Sequence, residues 1–137
     1  MTGERVSPSR QARYLFLIVA LIHVASVCFG ALVSFEIGVP SNLGLNFAQV
    51  PKNLNDRAAL LVAIFIASHV IVGIAAGYLV WKPSRIGAGC LVAAEVVLGL
   101  LLAYAYQIDF ALVPVSAAVL SYFALHKLEM RSITPSH

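Results

Sequence analysis

The chain is short of charge. Only 11% of its 137 residues are Asp, Glu, Lys or Arg, whereas 61% are hydrophobic. Its mean hydropathy is +0.91. A water-soluble domain is nearer a quarter charged and half apolar. Too little polar surface exists here to solvate a soluble fold, which excludes that class and leaves an integral membrane protein, one bundle over residues 1–137. Cysteine is also scarce. Cys28 and Cys90 stand alone, with no Cys-xx-Cys spacing, which excludes dithiol exchange of that kind. A concentrated basic patch is missing too. The net charge is +3, but the cations flank apolar blocks, so nucleic acid is not among the expected partners. The lipid bilayer is.

What the sequence does have is long apolar runs. They cover 14–36, 58–81, about 86–106 and about 110–126. About 20 apolar residues suffice to span a bilayer as a helix. The predicted fold is therefore all-α, a four-helix integral membrane bundle running up-down-up-down. The first run reads as a retained helix rather than a signal peptide. It is as long as a full span, and Val27 precedes Cys28 where a lipoprotein cleavage site needs a small residue. Trp81 marks an interfacial end, and Lys82-Pro83-Ser84-Arg85 makes a tight basic turn. Pro114 falls near the start of the fourth helix, where proline is tolerated. Residues 37–57, with Pro40 and Pro51 and four asparagines, form the longest connection, and the polar end from 127 onward carries no clear structure. No internal repeat is evident.

Orientation follows from Lys and Arg. With the N-terminus inside, the inner flanks hold Arg5, Arg10, Arg13, Lys82, Arg85, Lys127 and Arg131, and the outer flanks only Lys52 and Arg57. Both termini are expected in the cytoplasm of a multi-pass protein of the cell membrane.

Three ionisable residues break the apolar runs. At about 1.5 Å per residue, His23 lies roughly 15 Å, His69 about 16 Å and Glu95 roughly 14 Å from the near end of its helix. In a hydrocarbon core about 30 Å thick, all three fall near the midplane. Each stands on a small-residue stripe. His69, Gly73 and Gly77 are spaced by four, and the two glycines predict a close helix approach. Ala20, His23 and Gly30 share a side of the first helix, and Leu91, Glu95, Gly99 and Ala103 one of the third. The fourth offers Ala117, Ala118 and Ser121, with Tyr122 beside them. His23, His69 and Glu95 are thus the candidate site. As interhelical glue such groups contribute on the order of 1 kcal/mol. Inserting each costs roughly 2.5–3.5 kcal/mol. Three at one depth point to a shared interior. Cys28 and Cys90 sit about 15 Å apart in depth at that rise, too far for a disulfide, and read as small packing residues. His126 reads as interfacial.

Gly30-Ala31-Leu32-Val33, Glu95-Val96-Val97-Leu98-Gly99 and the basic turn between the second and third helices together resemble a four-helix half of the heme A synthase family. The resemblance implies a related bundle over most of the chain. That family places heme-ligating histidines at the outer ends of its second and fourth helices. Here Asp56-Arg57 and Val113-Pro114 stand there. Heme A synthesis is therefore not carried over.

Three functional classes fit these residues. First comes a non-catalytic subunit or assembly factor of a membrane complex, a respiratory one among the candidates, with other membrane subunits or further copies of itself as partners. Second is a heme-binding protein, His23 and His69 serving as ligands to the metal and Glu95 supporting them. Third is a proton-coupled transporter with the same residues as its relay. Catalysis is not expected.

Overall fold

The computed structural model describes residues 7–34, 56–105 and 108–133. The long connection expected at 37–57 lies outside the described residues, except for its last two positions, which already belong to a helix. Among the described residues all regular structure is helical. The order is α1 (Pro8–Ser34), α2 (Asp56–Trp81), α3 (Arg85–Ala105) and α4 (Ile108–Ile133). All four helices are long and apolar enough to cross a membrane, over Ser9–Leu32, Ala63–Trp81, Arg85–Tyr104 and Ala111–Met130.

Two helices run further than hydropathy indicates. α1 starts at Pro8, not near Tyr14. The Ser7 carbonyl accepts the N–H groups of Arg10 (2.9 Å) and Gln11 (3.1 Å). Ser before Pro is a helix-start signal, because proline needs no amide partner in the first turn and its φ is already helical. α4 continues past His126 to Ile133, so part of the polar end is helical. Backbone hydrogen bonding does not stop where the lipid-compatible stretch does.

Lys82, Pro83 and Ser84 link α2 to α3. Pro83 ends one helix and Ser84 opens the next. Its hydroxyl accepts the Gly87 N–H at 3.0 Å, and its carbonyl accepts the Ala88 N–H at 2.9 Å. Gly87 makes the turn tight. A Cβ there would lie 2.7 Å from both Leu79 Cδ2 and Ser84 Oγ.

The helices form a ring in chain order. α1 packs along α2, and α3 along α4. α1 and α4 join these two hairpins, and the α2–α3 seam is the least packed. α1 and α2 are antiparallel, since Gly30 faces Phe65 and Ile66 while His23 faces Gly73. α1 and α3 are left diagonal to each other. The core draws Phe16 and Val19 from α1, Val72, Ala76 and Leu79 from α2, Leu91, Leu98 and Leu102 from α3, and Ala117, Ala124 and Leu128 from α4. Large apolar side chains such as Ile71, Ile74, Leu100 and Leu112 face outward. Hydrocarbon solvates such a surface and water does not.

The small-residue stripe of α2 needs correction. Gly73 is in contact, but nothing lies within 4 Å of a Cβ placed on Gly77. The buried line runs His69, Val72, Ala76, Leu79, spaced three, four, three. Residues spaced strictly by four drift by about 40° per step on a helix of 3.6 residues per turn. By the second step Gly77 has rotated off the contact. Cys28 and Cys90 are also not packing residues. Both are free thiols on the exterior.

Candidate functional site at the centre of the bundle

Among the described residues, four polar side chains are buried, and each helix supplies one: His23, His69, Glu95 and Ser121. Each stands within two residues of the middle of its helix. His23, Glu95 and His69 come together in the interior, as their mid-helix positions predict.

His23 and Glu95 meet directly. Nε2 of His23 lies 2.6 Å from Oε1 of Glu95, with both side chains fully buried. That length marks a charge-assisted or strongly shared hydrogen bond. The bond crosses the α1–α3 diagonal, where the helices otherwise make little contact. Long side chains at the centre of the ring bridge a gap that backbones do not close.

His69 stands beside the pair. Its ring centroid is 5.3 Å from that of His23, tilted by 57°, and 4.3 Å from that of Phe65. His69 Nδ1 lies 2.9 Å from the Phe65 carbonyl oxygen. A carbonyl only accepts, so Nδ1 carries the hydrogen, and in neutral His69 the lone pair is on Nε2. Gly73 makes the approach of α1 possible. A Cβ there would stand 3.0 Å from the Cβ of His23.

Three buried polar atoms have no hydrogen-bond partner: Nδ1 of His23 and Oε2 of Glu95 in the cluster, and Oγ of Ser121 on α4. Orphaned groups are rare in protein interiors, and each needs an explanation. Ser121 is the member that the ionisable residues alone do not reveal. Its signal in the sequence is a hydroxyl on the small-residue side of α4, near mid-helix. Tyr122, next to it, faces outward at 59% exposure, and His126 is exposed on the same helix.

The arrangement does not fit a heme held between His23 and His69. Glu95 already engages Nε2 of His23, the two imidazoles are in ring contact, and the Gly73 approach holds their helices together. A porphyrin between them would require all three to separate. Among the described residues, no group of three or more His, Cys, Asp or Glu side chains is placed to hold a metal ion.

Comparison with protein families, with characterised proteins and with solved structures finds no match. The likeness to the heme A synthases rests on the short motifs alone.

Proposed function

We propose that the protein is a non-catalytic subunit or assembly factor of a complex in the cell membrane, inserted with both termini in the cytoplasm. The observation supporting this is the closure of the central cluster. His23 and Glu95 are turned onto each other, and His23, His69, Glu95 and Ser121 are all at most 1% exposed. Among the described residues the central polar groups are closed off from solvent, and the membrane-facing surface of the helices is largely apolar. In this reading the buried pair fixes how the helices assemble, a use known for polar groups in apolar interfaces. The distribution of Lys and Arg supports the orientation.

The experiment is purification from native membranes in mild detergent, followed by native mass spectrometry and an optical spectrum. The expected result is a stoichiometric membrane complex larger than the 14.6 kDa chain, without a Soret band. Chain found only as a monomer would overturn the subunit reading. A Soret band tied to this chain would replace it with cofactor binding.

A further inference from the structure

We propose that the His23–Glu95 pair is a proton-binding site, holding one exchangeable proton whose loss opens the bundle across the α1–α3 diagonal. The proposal is independent of the subunit reading, since it concerns what the cluster binds and not what the exterior contacts.

Proton accounting carries it. Oε1 of Glu95 and Nε2 of His23 lie 2.6 Å apart, so a hydrogen lies between them. Two forms of the pair have no net charge: imidazolium with carboxylate, and imidazole with carboxylic acid. They differ only in which end of the short bond holds the hydrogen. In both forms His23 Nδ1 also carries a hydrogen. Removing one proton from either form gives a neutral imidazole, with its hydrogen on Nε2, facing a carboxylate. That form has a net charge of −1. It leaves Nδ1 as a bare lone pair and Oε2 as a carboxylate oxygen, and these are two of the orphaned buried atoms. Only this form carries a net charge, with Nε2–H as its one donor and none on Oε2, and a net charge is the costliest state for a site at the centre of an apolar bundle. The closed bundle therefore holds the proton.

The neighbours from the other elements do not substitute for it. Among its described residues α4 buries only one polar side chain, the Ser121 hydroxyl, which is not ionisable. Cys28 and Cys90 face outward, and Lys127 and Glu129 lie near the end of α4, away from its centre. α2 offers His69, whose Nδ1–H is committed to Phe65. Its Nε2 is the base beside the pair, in ring contact with His23. Nδ1 of His23 has no hydrogen-bond partner in the closed bundle, so a proton leaving it goes to water once the bundle opens. The α2–α3 seam, the least packed side of the ring, is where water enters at least cost. α1 and α3 touch little apart from this bond, so loss of its favourable charge state loosens the diagonal.

The test is a pH titration of the wild-type protein in lipid nanodiscs. Nitrogen-15 NMR follows the histidine rings, isotope-edited infrared spectroscopy follows the glutamate carboxyl groups, and hydrogen exchange follows the amides of α3. Glu95→Gln assigns the Glu95 band. The expected result is one step on raising the pH in which His23 and Glu95 change together, with faster exchange around Glu95 in the same step. Glu95→Gln should lack that step. Separate titrations of His23 and Glu95, no titration of either while the protein stays folded, or a joint step without faster exchange would each overturn the proposal. The histidine signals and the exchange of wild type decide the matter even if Glu95→Gln does not fold.

Discussion

Gly73 on α2 and His23 on α1 are matched so closely that a Cβ on the glycine would stand 3.0 Å from the Cβ of the histidine. Neither atom is the end of a flexible chain, so extra volume at Gly73 must push the helices apart. Gly73→Leu should destabilise the bundle by about 1–3 kcal/mol, the usual cost of overpacking. Gly77→Leu, which meets open space, should stay within about 0.5 kcal/mol of wild type. Unfolding in mixed micelles measures both. Equal losses at the two glycines would show that the contact does not centre on Gly73.

Breaking one side of the diagonal bond strands the other. His23→Leu or Glu95→Leu alone should cost about 1–3 kcal/mol, because each leaves a buried polar group unpaired. The double substitution should cost much less than the sum of the two. A double-mutant cycle by steric trapping in bicelles reads the coupling directly. Additive losses would mean that the two side chains do not act as a unit.

Cys28 and Cys90 face outward on different helices. Set in hydrocarbon, both thiols stay protonated, so both should react slowly with a maleimide in the folded protein and readily after unfolding in SDS. Intact mass should show two adducts and no intramolecular disulfide. An intramolecular disulfide would contradict their separate outward positions.

The proposed orientation is checked by single cysteines in a background lacking Cys28 and Cys90. An impermeant reagent added outside should label a probe at Asn46 and should not label probes at Ser84 or Ser132. Labelling at Ser84 would invert the topology.

The level of the central cluster was legible in the sequence because depth follows from helix rise, and rise is nearly invariant. His23, His69 and Glu95 needed only the edges of their apolar runs to be placed together. The identity of the bonded pair was not legible. It depends on which helices lie diagonal in the ring, and that is a property of packing, to which hydropathy is blind. Gly77 misled for a related reason. A spacing of four marks one side of a helix over a single turn, but the contact follows alternating threes and fours. The start of α1 was written in Ser7-Pro8, a backbone signal outside the apolar run. Ser121 was legible only as one of several small residues on its side of the fourth helix, and its complete burial singles it out among them.

The two histidines differ in how far along the chain their partners lie. His69 bonds to a carbonyl four residues away in its own helix, so that nitrogen is satisfied as soon as α2 forms. His23 bonds to a residue 72 positions later. At about 5–20 residues per second of synthesis, roughly 4–14 s pass between the making of His23 and that of Glu95. On the proposed insertion, the first helix therefore waits with an unpaired imidazole until the third arrives, and the α1–α3 bond forms late in biogenesis.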